Sequence, residues 1–247
     1  MSVQELPVIV PDWPAPAGVR TFVTTRFGGV SAAPYDSFNL GGRVGDAASA
    51  VEENRGRLYA LLPAVPRWLN QVHGITVIDS DLDASGDEAD AICSHRANVP
   101  CAIMTADCLP VLFADRAGSV VAAAHAGWRG LCGGVLEASV ATMRAAPESL
   151  IAWLGPAIGP TQFEVGPEVR EAFMRHDAAA EQAFRPGKAD RWMADIYMLA
   201  RQRLASAGLA ADAIFGGDLC TVSDPSRFFS YRRDGVTGRM ASVIWRE

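Results

Sequence analysis

Three apolar runs lie close together near the middle of the chain: Cys101–Thr105, Val111–Asp115 and Val120–His125. None of them alternates between apolar and polar residues, so neither side of such a segment suits contact with water. Runs of this kind read as strands buried on both faces, and a sheet covered on both faces requires further layers of structure against it. The runs are separated by Asp107-Cys108-Leu109-Pro110 and by Arg116-Ala117-Gly118.

The rest of the chain supplies material for those layers. Thr21–Thr25 is rich in β-branched residues and runs into Arg26-Phe-Gly-Gly, a strand entering a turn. Residues 31–45 carry loop punctuation, after which Asp46 opens a helix that Pro63 stops. Arg67–Asn70 and Ile75–Ile78 read as short strands around Gln71-Val-His-Gly74, and Ile151–Leu154 as another before Gly155-Pro156. Helical spacing follows Gly127-Trp-Arg-Gly130 and returns over Pro167–Phe184 and Met193–Ala207. Arg227–Arg233 and Arg239–Trp245, joined through Asp234-Gly235, resemble a terminal hairpin. Strands and helices intermingle without βαβ alternation, and neither a repeat nor a low-complexity linker is present. The expected architecture is one α+β domain over residues 1–247, with mixed β-sheets flanked by helices in a layered sandwich.

Charge narrows the function classes. With 22 Lys+Arg against 28 Asp+Glu the net charge is −6, and no basic run is present, which argues against nucleic acid and against an anionic membrane surface. Lys188 is the sole lysine, so no Gly-Lys-Ser/Thr phosphate loop exists and Schiff-base chemistry has almost no carrier. Five cysteines without a CxxC pair, a start without a secretory pattern, and no apolar stretch of roughly 20 residues together read as a cytoplasmic protein.

The chain holds four histidines: His73, His95, His125 and His176. His73 lies in a turn before a strand, His125 closes the run Val120–Ala124, and Cys108 follows Cys101–Thr105 just before Pro110. Strand ends of one sheet meet on one rim, where two imidazoles and a thiolate suit zinc, with copper as the second choice by ligand type. Spacing alone leaves this open beside buried, satisfied histidines and an inert core cysteine. Cys108 as a nucleophile activated by a neighbouring histidine is a competing use of the same sulfur. Asp107 adjoins the thiol and is a candidate general acid or base, but adjacent residues of a strand point to opposite faces, which suits a supporting or structural role at least as well. Asp79–Asp90 superficially has the acid spacing of a calcium loop, but Ala84 occupies the sharp-turn position, so it reads as a solvated loop. His95 and His176 read as surface residues, and Cys93, Cys101, Cys132 and Cys220 as core.

Gln71-Val-His-Gly74, Thr105-Ala-Asp-Cys-Leu-Pro110 and His125-Ala-Gly-Trp-Arg-Gly130 occur in that order. With Thr24–Ser31, Pro34–Gly41, Gly155–Gly159, Cys220-Thr221, Ser230–Arg233 and Thr237–Arg239, they resemble a family known both as laccase-like multicopper polyphenol oxidases and as purine nucleoside phosphorylases. Some bacterial members are called peptidoglycan editing factors. The resemblance covers nearly the whole chain. It implies zinc held by His73, Cys108 and His125. It also implies phosphorolysis of adenosine, inosine, guanosine or methylthioadenosine, with inorganic phosphate as co-substrate, and deamination of adenosine.

Phosphorolysis needs an anion site. Gly127–Gly130, where a strand passes into a helix, and the guanidinium groups of Arg26, Arg43 and Arg129 are the candidates, with Asn39 for ribose or base. Trp128 either packs or stacks on a purine. Rival readings are a copper-dependent polyphenol oxidase, an amide hydrolase editing peptidoglycan precursors, and a non-catalytic binding protein. Four histidines fall short of what several copper centres need.

Overall fold

Side-chain parity along the central strands sorts the interior into layers. The structure, a computed structural model, describes residues 6–82 and 86–247. The chain opens with β1 (Val8–Ile9), β2 (Val19–Thr24), α1 (Ala48–Tyr59), β3 (Val77–Asp79) and β4 (Ala91–Ser94). The three apolar runs become β5 (Cys101–Thr105), β6 (Leu109–Asp115) and β7 (Val121–Ala126), and α2 (Trp128–Gly133) and α3 (Val135–Thr142) follow. Next come β8 (Leu150–Leu154), β9 (Glu164–Val165), α4 (Pro167–His176), β10 (Phe184–Pro186), β11 (Trp192–Ala194) and α5 (Ile196–Ser206). The last elements are β12 (Ile214–Gly216), the short α6 (Tyr231–Asp234) and β13 (Met240–Arg246).

A six-stranded sheet runs β12-β8-β6-β7-β4-β3, and a four-stranded sheet runs β1-β2-β13-β5. The larger sheet is mixed: β8–β12 and β3–β4 are parallel pairs, whereas β4, β6, β7 and β8 pair antiparallel. Val111 and Phe113 of β6, with Ala122 and Ala124 of β7, pack with Leu131, Leu136 and Leu199 from the helices. Leu112, Ala114, Val121 and Ala123 point the other way, onto Val23, Ile103 and Ile244 of the four-stranded sheet. The outer face of that sheet carries Phe22, Val243 and Trp245 and is covered by Leu58 of α1 together with Phe38 and Leu40 from the loop before it. Four layers result (helix, sheet, sheet, helices), giving a single α+β domain with mixed sheets. This is why the apolar runs show no alternation: both faces of β6 and β7 are interior. Each fully buried Leu or Phe there is worth roughly 1.5–3 kcal/mol of transfer free energy.

Several elements differ from the sequence reading. Arg227–Arg233 forms no hairpin arm. Ser230 Oγ caps α6 by accepting from the Arg233 amide (3.2 Å), and β13 pairs instead with β2 and β5. A strand buried between two partners gains ladder bonds on both sides, which a two-stranded ribbon lacks. Arg67–Asn70 makes only an isolated bridge, Asn70 to Glu88. The helix expected over Pro167–Phe184 ends at His176, where Asp177 accepts from Ala179 N and a 3-10 turn follows. Met193 lies in β11 of a small third sheet, and α5 begins at Ile196 behind the Asp195 cap.

Candidate metal and substrate site

His125 lies two residues beyond Ala123 and four beyond Val121, so period-two alternation turns its ring into the gap between the two large sheets. The ring is buried at the end of β7. Cys108 reaches the same rim because the chain changes sheets there, leaving β5 at Thr105 and entering β6 at Leu109. The crossing places Asp107 at φ 82°, and its carboxylate faces away from the thiol's neighbours, accepting from Thr221 Oγ1 (2.5 Å) and from the Arg232 amide (2.6 Å). Asp107 therefore anchors the C-terminal segment.

Asp90 places both imidazoles. Its carboxylate accepts the backbone N–H groups of Val72, His73 and Gly74 at 3.2, 2.9 and 2.6 Å, which holds the turn in which His73 sits at φ 62°. Its Oδ1 also accepts from His125 Nδ1 at 2.8 Å. An ionised carboxylate only accepts, so Nδ1 carries a proton, and Nε2 is the ring nitrogen that becomes free to bind a metal once its own proton has left. Gln71 braces the same loop, exchanging two 2.8 Å hydrogen bonds with the Met104 backbone.

The donor atoms of His73, Cys108 and His125 lie within 4.8 Å of one another. His73 Nε2 is 3.7 Å from Cys108 Sγ, and the two rings meet edge to face with centroids 4.8 Å apart. Gly127 makes this approach possible: a Cβ there would lie 2.7 Å from His73 Cδ2 and 3.0 Å from Cys108 Sγ. Burial pushes the Cys108 thiol up, but the facing His125 and His73 outweigh it and bring it down to about 6. Burial pushes His125 down, and Cys108 and Asp90 reverse this, raising it to about 9. For Asp90, burial is outweighed by the hydrogen bonds from His125, Gly74 and His73, which hold the carboxyl below its ordinary value. Two nitrogens and one sulfur on this spacing are a donor set suited to one borderline-soft divalent ion, with a position left over.

The cluster opens into a cavity of 680 Å³, within the size range that encloses a small organic molecule. Arg43, Arg55 and Arg239 line it together with Trp68 and Tyr231. The three guanidinium groups have neutral partners: the Asn70 amide for Arg43, the Leu40 carbonyl for Arg55, and the Thr237 and Gly238 carbonyls for Arg239. Burial pushes Arg239 below its ordinary value, opposed by the nearby Cys108 and Asp107.

The family described as multi-copper polyphenol oxidoreductase laccase matches residues 20–247. The chain belongs to this family. It is 58% identical over 241 residues to the purine nucleoside phosphorylase YfiH of Escherichia coli K12, a match covering 96% of this chain and 98% of that one. It is 37% identical over 240 residues to a purine nucleoside phosphorylase of Mycobacterium bovis, covering 93% and 92%. Among solved structures it is similar to the Neisseria meningitidis protein NMB0706, with TM-score 0.92, 48% identity, and 97% and 99% coverage. YlmD from Geobacillus stearothermophilus gives TM-score 0.84 at 29% identity, covering 98% and 100%.

In this member of the laccase family the fold separates the substrate candidates. Arg43 lines the cavity. Arg26 does not: its guanidinium donates to the Asp36 and Pro225 carbonyls, meets the Asp36 carboxylate at 3.4 Å and lies 4.9 Å over Phe229. Asn39 is fully buried and already paired, its Oδ1 accepting from Gly41 N and Arg239 N and its Nδ2 donating to Gly41 O and the Asp46 carboxylate. It fastens the Gly41–Val44 wall of the cavity to the start of β13. Arg129 is exposed and lies 4.5 Å over Trp128, which packs against the helix-side core, and neither lines the cavity. Arg55 and Asp90 escaped the sequence reading. Asp90 looked like the last acid of a solvated loop, and its one distinguishing signal was its place directly before the apolar Ala91-Ile-Cys. Residues Asp83–Ser85 of that loop lie outside the described residues.

Proposed function

We propose that this chain is a zinc-dependent purine nucleoside phosphorylase that also deaminates adenosine. The observation that carries the reading is that His73, Cys108 and His125 share one cavity with three arginines whose hydrogen-bond partners among the described residues are neutral. The names of the relatives point to the same class of reaction.

His73, Cys108 and His125 would hold the ion, which when bound supplies Lewis acidity beside the substrate. Asp90 keeps His125 in the tautomer that presents Nε2. Arg239 and Arg55, with Arg43 at the rim, offer planar donor forks to phosphate oxygens and to the charge that develops as the base leaves. Trp68 and Tyr231 offer flat surfaces to a purine and exclude water around it. Among the chain's four histidines, His73 and His125 converge on the cavity, while His95 and His176 do not line it, which argues against a multicopper centre of laccase type.

The test is zinc-loaded protein incubated with adenosine, inosine, guanosine and methylthioadenosine, each with and without phosphate. Phosphate-dependent release of free base, and inosine from adenosine, are the expected products. Copper at stoichiometric level with phenol oxidation and no base release would overturn the proposal.

A further inference from the structure

A second group of metal-type donors lies at the far end of β4. In the parallel pair β3–β4, Asp79 is the register partner of Cys93, so their side chains share a face of the sheet. His95 follows Cys93 by two residues, the spacing that returns an extended chain to that face. The carboxylate, thiol and ring nitrogen of these three residues lie within 4.8 Å of one another. Asp79 and Cys93 are buried, and His95 is half-buried. His95 Nε2 is shielded from solvent and has no hydrogen-bond partner among the described residues. A shielded ring nitrogen is normally paired; with the ring proton on Nδ1, Nε2 offers a lone pair that a cation shared with the carboxylate and the thiol would satisfy.

The surroundings are compatible with one. Asp79 Oδ2 accepts from Arg144 Nη2 at 2.6 Å and Oδ1 from the Asp81 amide at 3.0 Å, which orients the carboxylate while Oδ1 keeps acceptor capacity. The Thr142 carbonyl lies 3.9 Å from Cys93 Sγ and closes the group from the side of α3. One carboxylate, one imidazole and one thiolate are all zinc ligands, and binding would release the Cys93 thiol proton to solvent as the zinc–sulfur bond forms.

We propose that Asp79, Cys93 and His95 form a second zinc site, separate from the cavity and structural in effect. Asp90 and Cys93 are about 10 Å apart along the strand, at about 3.3 Å per residue. The site ties edge strand β3 to β4, and β3 is the strand into which the His73 turn runs.

Cobalt(II) is a suitable probe, because a thiolate ligand produces a charge-transfer band that imidazole and carboxylate alone do not. Both sites contain a thiol, so the full-length Cys108→Ala variant serves as the background. It is expected to bind one cobalt per chain with that band, and adding His95→Ala is expected to remove both. His95 is chosen because Cys93 sits in the core; Asp79→Asn, nearly isosteric, is the second variant and is expected to weaken binding at least tenfold. A folded Cys108→Ala protein that shows no cobalt band would overturn the proposal, as would a band surviving His95→Ala unchanged.

Discussion

Asp90 accepts a 2.8 Å hydrogen bond from His125 Nδ1, and the same carboxylate gathers the three amides of the His73 turn. One buried acid therefore sets the tautomer of one candidate ligand and the backbone of the other. Asp90→Asn puts an amide NH₂ where an acceptor is needed. Zinc affinity at the cavity is expected to fall by about 10–100-fold, the range for losing such an outer partner. Titration against a chelator of known affinity measures it, and unchanged affinity would contradict the role given to Asp90.

Gly127→Ala tests the tight approach of the two other ligands. Its Cβ would sit 2.7 Å from His73 Cδ2, so the ring must swing away from Cys108. Zinc at the cavity and turnover are expected to fall together, while the far-ultraviolet circular dichroism stays that of the parent.

Two arginines are expected to behave oppositely. Arg239→Met should raise the KM for phosphate about tenfold, near 1.4 kcal/mol of binding, without changing zinc content. Arg26→Met should leave that KM alone and lower Tm instead, since Arg26 ties Asp36 and Pro225 to the Phe229 ring. Steady-state kinetics and thermal unfolding separate the two.

Proton release on zinc binding follows from the two shifted groups. Between about pH 6 and about 9 the metal-free site holds a Cys108 thiolate and a His125 imidazolium, because the thiol is lowered and the imidazole raised. Zinc needs both deprotonated, so that window releases the His125 proton, and affinity rises about tenfold per pH unit. Below about 6 the thiol proton must leave too and the dependence steepens; above about 9 it flattens. Calorimetry in buffers of different ionisation enthalpy counts the protons. A pH-independent affinity between 6 and 9 would show that the pair is not charged in this way.

Asp90 adds a stability effect with a definite sign. Its folded value is depressed, so the stability it contributes is present above the ordinary carboxyl range and is lost as pH falls through the folded value. Acid unfolding of metal-free Asp90→Asn should therefore show a shallower pH slope than that of the parent.

The central strands were legible because their lack of alternation has one physical cause, burial on both faces, and β5, β6 and β7 lie where the apolar runs are. The C-terminal pairing was not. The pattern in Arg227–Trp245 suits a local hairpin, whereas β13 gains more by inserting between β2 and β5, partners more than a hundred residues away.

Residue type made His73, Cys108 and His125 able to hold a metal, because imidazole and thiol carry that chemistry wherever they stand, but left this open beside buried histidines and an inert cysteine; the family resemblance singled the three out. The arginines were a different matter. Arg26, Arg43 and Arg129 carry the same guanidinium, and only the packed chain spends Arg26 on Asp36 and Pro225, leaves Arg129 outside on Trp128, and turns Arg43 and Arg239 into the cavity. A charge's partner is set by what the fold brings within a few ångströms, and that distance is not written in the order of the residues.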